Sequence, residues 1–194
     1  MLLTPTIDLV QEECAEFDKE PFTKLGEEAL AQLLMQFPRN EKASHVLLKV
    51  IALDRLYSTR IQYVDLVPFA HHIANCSIDE AISQGSPNAV DLIWDCAETR
   101  KYYSFATKFC SWHNPKAYPM HDHYVDECLW AYNKQNSFYV FHREDMYDYE
   151  KFLVIVSAFR DRYNLTTTTF SFRDLDKFLW RTGDRILRER TTSL

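Results

Sequence analysis

The sequence predicts an all-α protein, and three observations lead to this class. Glycine occurs at three of 194 positions, so few residues suit the left-handed turns that β-hairpins need. Apolar residues recur at spacings of three and four, as on the buried face of an amphipathic helix. Residues that cap helix N-termini precede several of these runs. We therefore expect one helical domain over residues 1–194, with roughly eight or nine helices of about 8 to 20 residues.

Capping residues mark where the helices are expected to begin. Thr4-Pro5 places a capping residue before a proline at the first helical position. Ser77-x-x-Glu80 has the form of a capping box, and Ser171-x-x-Asp174 repeats this form with the shorter acid. Ser86-Pro87 marks a further start. The runs give three apolar faces: Leu30, Leu33, Leu34 and Phe37; Val46, Leu47, Val50, Ile51 and Leu53; Phe152, Leu153, Val156, Phe159 and Tyr163.

Proline, glycine and threonine mark where the helices are expected to end. The breaks fall at Pro38, Gly85, Asn114-Pro115 and the run Thr166 to Thr169. Only Phe138 to Phe141 has the composition of extended chain, and so short a run does not distinguish a strand from a buried turn of helix or a loop. The predicted class is therefore unchanged by it.

The cysteines and the apolar runs limit the environment of the protein. Five cysteines are an odd number, lie far apart and form no CxxC pair, which favours neither a disulfide framework nor a zinc knuckle. The N-terminus lacks the basic and apolar regions of a signal peptide, and no run approaches the roughly 18 apolar residues of a membrane helix. We expect a cytoplasmic monomer that does not enter a membrane.

The charge is unevenly distributed along the chain. The formal net charge is −6, and residues 1–30 alone account for it, with eight acidic residues against Lys19 and Lys24. The stretch Arg173 to Arg190 has six basic residues against four acidic ones. A polyanion such as DNA would therefore be bound through a local patch, without help from the net charge.

Reactive side chains concentrate between Tyr102 and Trp130. Lys108 lies in a predicted helix over residues 104–112, where the simplest interpretation is a solvated lysine. A loop after Asn114-Pro115 leads to a new helix that begins at residues 121–124. Asp122 falls at the N-terminus of that helix, so it is expected to be an N-cap, which is compatible with a chemical role. Helical spacing places three aromatic residues in the core: Phe105, Phe109 and Trp112.

The pattern Ser104-Phe-Ala-Thr-Lys108-Phe-Cys, followed by Asn114-Pro-Lys-Ala-Tyr-Pro-Met-His-Asp122, resembles the helix-hairpin-helix superfamily of DNA glycosylases. There, a Thr-Lys or Thr-Ala pair in the second hairpin helix precedes a loop with the essential aspartate. The segment Leu53 to Arg60 is similar to the turn that enters the DNA stack. The glycine-rich hairpin of the superfamily is replaced here by Lys101-Tyr-Tyr-Ser-Phe-Ala. The chain is more similar to a divergent bacterial branch associated with modified bases of phage DNA.

The resemblance implies a fold, a partner and an activity. The fold would have two helical lobes, one of residues 1–40 and 135–194 and one of residues 41–134, with the active-site cleft between them. The partner would be double-stranded DNA, and neither a cofactor nor a metal would be needed. The activity would be hydrolytic removal of a damaged or hypermodified base, such as glucosylated hydroxymethylcytosine, which leaves an abasic site.

The resemblance also assigns roles to particular residues. Asp122 would stabilise the oxocarbenium-like sugar as its bond to the base breaks. Lys108, if desolvated, would attack C1′ and add strand-nicking activity. Arg55 and Leu56 occupy the wedge position, and Arg60 would contact a phosphate. The proposed base pocket comprises Tyr102, Tyr103, Trp112, His113, Tyr118 and His121, and the proposed DNA-binding turn comprises Arg55, Leu56, Tyr57, Ser58 and Arg60.

Two other classes of function fit parts of the sequence. A metal-dependent phosphohydrolase of the HD type would use histidines and Asp122 as ligands. A non-catalytic module would bind protein or nucleic acid through the Arg173 to Arg190 helix and the aromatic segment. A chelator would inhibit the first, and neither a chelator nor Asp122→Asn would affect the second. The candidate metal ligands are His71, His72, His113, His121, Asp122 and His123.

Overall fold

The computed structural model describes residues 1–94, 101–165 and 170–192. These residues form ten α-helices and one 3-10 helix and contain no strand, which confirms the all-α class. The predicted break at Thr166 to Thr169 lies outside the described residues. The helices are α1 (Ile7–Phe17), α2 (Pro21–Gln36), α3 (Ala43–Tyr57), α4 (Tyr63–Asn75), α5 (Ile78–Ser83), α6 (Asn88–Trp94), α7 (Tyr103–His113), α8 (His123–Asn136), the 3-10 helix Arg143–Tyr147, α9 (Tyr149–Arg162) and α10 (Phe172–Thr192).

The chain divides into two compact units. Unit 1 comprises Met1–Lys19 and Pro119–Leu194, and unit 2 comprises Glu20–Tyr118. The sequence had suggested boundaries at residues 40 and 134. The observed boundaries differ because α2 packs on α3, which places α2 in unit 2, and α8 packs on α10, which places α8 in unit 1.

Unit 2 is built around α3 and α7. The helix α3 packs on α2, α4 and α7, and α6 also packs on α7. Most of the apolar residues predicted for α3 and α7 are buried, as their spacing requires, but Ile51 of α3 is exposed and Trp112 of α7 is half-buried. Gly85 ends the short helix α5 in a left-handed conformation, with φ of 70°, as its position predicted. The fully buried side chains at the centre of this unit include Val46, Val50, Leu53, Ile73, Phe105 and Phe109.

Unit 1 is built around α10, which packs on α8 and α1. The contact between α10 and α8 is close at Gly183, where a Cβ atom would overlap the backbone carbonyl of Tyr124. Only glycine permits this approach of the two backbones. Tyr124 belongs to the first turn of α8, so the contact holds the helix end at which Asp122 lies.

The helix starts agree with the sequence in some places and differ in others. Ser171 and Asp174 form the predicted box, with reciprocal bonds of 2.9 and 3.2 Å. Ser77 precedes α5 but adopts a left-handed conformation without a side-chain cap, so that predicted box is wrong. The cap of α1 is Thr6 rather than Thr4, because the Thr6 hydroxyl accepts the Leu9 amide at 3.2 Å. Phe138–Phe141 is irregular chain.

Across the described ranges, no helix combines the length and the apolar character needed to cross a membrane.

Candidate functional site

The turn between α3 and α4 has an unusual backbone. Ser58 and Arg60 both adopt left-handed conformations, with φ of 50° and 62°, which side chains other than glycine rarely accept. Asp54 holds the turn, since its carboxylate accepts the Thr59 hydroxyl at 2.7 Å and the Ile61 amide at 2.9 Å. Strained backbone of this kind persists only where the surroundings fix it. The turn is therefore a defined structure.

Two arginines lie at or next to this turn with their side chains in solvent: Arg55 in the last turn of α3, and Arg60 in the turn itself. Arg55 and Arg60 are both exposed, and neither forms an ion pair within the described part of the chain. Leu56 instead is half-buried and points towards Gly26 of α2. The predicted DNA-binding turn thus presents two cations, while the candidate wedge Leu56 packs within unit 2.

Lys108 is buried on α7 and meets Tyr57. Only 2% of the surface of Lys108 is exposed to solvent, so the interpretation of this residue as a solvated surface lysine is wrong. Its Nζ donates to the Ser104 hydroxyl at 2.9 Å and lies 5.6 Å from the centre of the Tyr57 ring. The Tyr57 hydroxyl accepts the Trp112 Nε1 hydrogen at 2.8 Å. The structure thus brings together three predicted site residues: Tyr57, Lys108 and Trp112.

Asp122 caps α8 in unit 1. Its Oδ1 accepts the backbone amides of Tyr124 and Val125, both at 3.0 Å, which confirms the predicted N-cap. Negative charge is favoured there because the helix dipole and the first amides point at it. Asp122 lies in unit 1, whereas Lys108 lies in unit 2.

The aromatic candidates for the base pocket are mostly buried in unit 2. Tyr118 is fully buried, and its hydroxyl donates towards the carbonyl oxygens of Ala81 and Ser86 at 3.0 and 2.9 Å. The Tyr102 hydroxyl donates to Asp65, and the Tyr103 ring meets the edge of Trp94 at 5.3 Å. These three tyrosines hold helices together in the structure. Trp112, which is half-buried, keeps an exposed portion.

His113 belongs to a polar network inside unit 2. Its Nδ1 donates to the Phe109 carbonyl at 2.8 Å, so Nε2 is left to accept from the Lys49 ammonium at 3.2 Å. Burial and the Lys49 charge lower the pKa of His113 to about 4. Burial also lowers the pKa of Lys49 to about 8, against the opposing effect of Asp79.

The remaining bonds of Lys49 complete this network. Its Nζ donates to Asn40 Oδ1 at 2.7 Å and to the Arg39 carbonyl at 3.2 Å. Asn40 in turn donates to Asp79 at 2.6 Å. Sequence reasoning missed these residues, although one signal existed: Lys49 lies on the predicted apolar face of α3, between Val46 and Leu53. Asn40 and Asp79 give no such signal.

His121, the last candidate for the base pocket, lies in unit 1. It is 2% exposed, and its ring is 5.0 Å from the rings of both Tyr147 and Phe152. Edge contacts of this kind are typical of an aromatic core. The structure therefore places His121 in the packing of unit 1.

The candidate metal ligands do not form a ligand set. Within the described ranges, no three His, Cys, Asp or Glu side chains lie close enough together to hold a metal ion. His72 Nε2 bonds the Leu92 carbonyl at 2.6 Å, and both nitrogens of His113 have partners in unit 2. Two of the candidate ligands, His72 and His113, therefore have their ring nitrogens engaged within unit 2.

The basic residues of α10 are engaged with acidic ones of unit 1. Glu13 of α1 pairs with Arg181 at 2.6 Å and also with Arg185, and Asp18 pairs with Lys177 at 2.6 Å. Arg190 pairs with Glu127 at 2.6 Å. Part of the acidic N-terminal segment thus neutralises α10, which weakens the case for this helix as a polyanion-binding surface.

Comparison with known proteins places the chain in a family. Residues 9–117, more than half of the chain, match the family model HI_0787_N, described as an N-terminal domain, and the match ends one residue before the end of unit 2. An uncharacterized protein of Haemophilus influenzae (strain KW20 Rd) is 34% identical over 140 residues. The match covers 69% of this chain and 63% of that protein, so the chain spans less than two thirds of its relative. No solved structure matches significantly. The chain therefore belongs to the HI_0787_N family.

Proposed function

We propose that the protein is a DNA glycosylase that removes a damaged or hypermodified base from double-stranded DNA. The observation that carries the proposal is the environment of Lys108. The residue matches the lysine of the superfamily that the sequence resembles, and its amine is buried against a hydroxyl and an aromatic ring. An amine withdrawn from water beside aromatic groups is the setting in which lysine acts as a nucleophile.

Asp122 would supply the carboxylate of the reaction. When the bond between C1′ and the base nitrogen breaks, its electron pair leaves with the base and positive charge develops on the sugar. A carboxylate fixed by two backbone amides is held ready to stabilise that charge. Water then bonds to C1′ and loses a proton, which gives an abasic site. If the Lys108 amine bonds to C1′ instead and loses a proton, the C1′–O4′ bond opens to give a Schiff base, and loss of a C2′ proton then expels the 3′ phosphate and cleaves the strand.

Arg55 and Arg60 would contact the DNA backbone. They are exposed cations in the last turn of α3 and in the turn that follows it, whereas the basic residues of α10 noted above have carboxylate partners. Phosphate contacts by arginine are a main source of affinity for DNA. A base modified as in phage DNA is the substrate class we propose first, on the basis of the resemblance.

Asp122→Asn is the variant that tests the activity. Asparagine caps a helix about as well as aspartate, so the fold of unit 1 should be retained while the charge is lost. We expect the wild type to form abasic sites, scored by alkaline strand cleavage, on at least one DNA among unmodified, hydroxymethylcytosine and glucosylated forms. The variant should be slower by about 100-fold or more.

The matched control is Asp148→Asn. Asp148 also caps a helix, since it accepts the Lys151 amide at 3.2 Å at the start of α9, and it has no proposed role in the reaction. It should retain wild-type activity. Equal activity of Asp122→Asn and the wild type would remove Asp122 from the mechanism, and a folded wild type that is inactive on every DNA would reject the proposed function.

A further inference from the structure

Tyr57 ends α3 in the segment that the sequence assigns to DNA contact, yet its ring faces Lys108. We infer that Tyr57 is a positioning residue for the Lys108 amine. The catalytic consequence of this inference rests on the proposed glycosylase function, but the geometry does not. The distance of 5.6 Å between Nζ and the ring centre lies within the range of a cation–π contact.

Tyr57 belongs to α3, but its hydroxyl is hydrogen-bonded to α7, the helix that carries the amine. Trp112 follows Lys108 by four residues on α7, so the two side chains lie on one face of the helix. Trp112 donates its indole hydrogen to the Tyr57 hydroxyl at 2.8 Å, while Lys108 lies against the ring. Tyr57 is thus held at its hydroxyl end and presents its face to the amine.

Such support matters because a lysine side chain has many rotamers. Its four-carbon stem places the amine at many positions unless contacts select one. Here the Ser104 hydroxyl accepts from Nζ at 2.9 Å and the Tyr57 ring provides a second contact. These two contacts restrict the positions that the amine can take.

The position of Tyr57 also connects two parts of the proposed site. Tyr57 directly precedes Ser58, the first left-handed residue of the turn that carries Arg60. A phosphate bound by Arg55 and Arg60 would therefore be held by the residues on either side of the one that supports the amine. Contact with the DNA backbone by the arginines and placement of the amine by Tyr57 would therefore come from different residues of one short segment.

The first test examines the free protein and does not depend on activity. The Cε protons of a lysine over an aromatic ring resonate upfield, and the Lys108 signal can be assigned in a lysine-labelled 1H–13C spectrum by its loss in Lys108→Arg. We expect Tyr57→Leu to remove the upfield shift and Tyr57→Phe to retain it. Phe22→Leu, which replaces an exposed aromatic residue of α2, should leave the signal unchanged.

The second test separates reaction rate from DNA binding. At saturating DNA, Tyr57→Leu should slow single-turnover base release by about tenfold, with the Kd for DNA unchanged, whereas Tyr57→Phe should restore the rate because it keeps the ring. Borohydride trapping of the Schiff base should follow the same order if the lysine bonds to the sugar. Phe22→Leu should behave as the wild type.

The outcomes distinguish the two proposals. Tyr57→Leu with the wild-type Lys108 signal, or with the wild-type rate in an active enzyme, would overturn the positioning role. Equal loss of the upfield shift in Tyr57→Leu and Tyr57→Phe would overturn it as well, because the ring alone would then not place the amine. A wild type that forms no abasic sites would reject the glycosylase function, and the lysine spectra alone would then decide whether Tyr57 positions the amine.

Discussion

Individual buried polar residues define unit 2 as much as its apolar core does. Lys49 is fully buried and uses its three hydrogens on Asn40, the Arg39 carbonyl and His113. Because each donor has an acceptor, the cost of burying the charge is partly offset. The network joins the segment before α3, α3 itself and α7, so it fixes the helices that carry Tyr57 and Lys108.

The titration of His113 predicts how this network responds to acid. Its pKa is about 4 in the folded chain and 6.5 is the ordinary value, so between these values the unfolded chain binds more protons than the folded one. Stability should therefore fall as the pH falls from 6.5 to 4, by up to about 3 kcal/mol from this residue. Urea unfolding at pH 7 and pH 4.5 measures the effect.

Two variants identify the residue responsible for the loss in acid. His113→Gln keeps a hydrogen-bonding side chain but does not titrate, so it should lose less stability than the wild type between the two pH values. His71→Gln replaces an exposed histidine and should lose as much as the wild type. An acid response of His113→Gln equal to that of the wild type would contradict the assignment.

At the scale of elements, the contact of α8 with α10 positions the helix that Asp122 caps. Gly183→Ala should destabilise the protein despite the better helix propensity of alanine, because its Cβ would overlap the Tyr124 carbonyl. We expect a loss of about 2 kcal/mol or more in the free energy of unfolding, measured with urea.

Gly26→Ala is the comparison for Gly183→Ala. Gly26 also lies inside a helix, but its added Cβ would meet only the end of the Leu56 side chain, which can rotate. This variant should be neutral or slightly stabilising. A Gly183→Ala protein as stable as Gly26→Ala would show that the α8 to α10 contact adjusts to a methyl group.

The elements were more predictable from sequence than the site. Helical spacing and the cap at Asp122 are local properties, so α7 and α8 were anticipated within about two residues. The burial of Lys108 was not, because the solvation of a lysine depends on which helices pack over it. The prediction that Tyr57 contacts DNA has a similar origin. Its position at the end of α3 does not determine whether the ring points to solvent or to Lys108.

At the scale of the whole molecule, the acidic net charge and a DNA substrate are compatible. Glu13 of α1 and Asp18, the residue directly after α1, are paired with basic residues of α10. Such pairs are local and screened by salt, so they do not repel DNA at a distance. Arg55 and Arg60, at the end of α3 and in the following turn, can therefore bind phosphate without a favourable net charge.

The salt dependence of DNA binding tests which cations are used. Each phosphate contact contributes about 0.9 to the slope of log Kd against log salt concentration. The double variant Arg55→Gln with Arg60→Asn should lower the slope by about twice this contribution, because two phosphate contacts are lost. Asparagine is used at position 60 because it suits the left-handed backbone there. Arg188→Gln, whose arginine pairs with Asp184 at 2.8 Å, should leave the slope unchanged. The reverse result would assign binding to α10.

The discontinuous composition of unit 1 has a consequence for synthesis on the ribosome. Unit 2 is one continuous segment, so all of its helices have been synthesised once Tyr118 has been added. The helix α1 is made before unit 2 but packs on α10, which is made after it. Its apolar side must therefore remain without that partner while more than a hundred residues are added, a state in which exposed apolar surface invites aggregation. Its high acidic content keeps such a segment soluble during the delay.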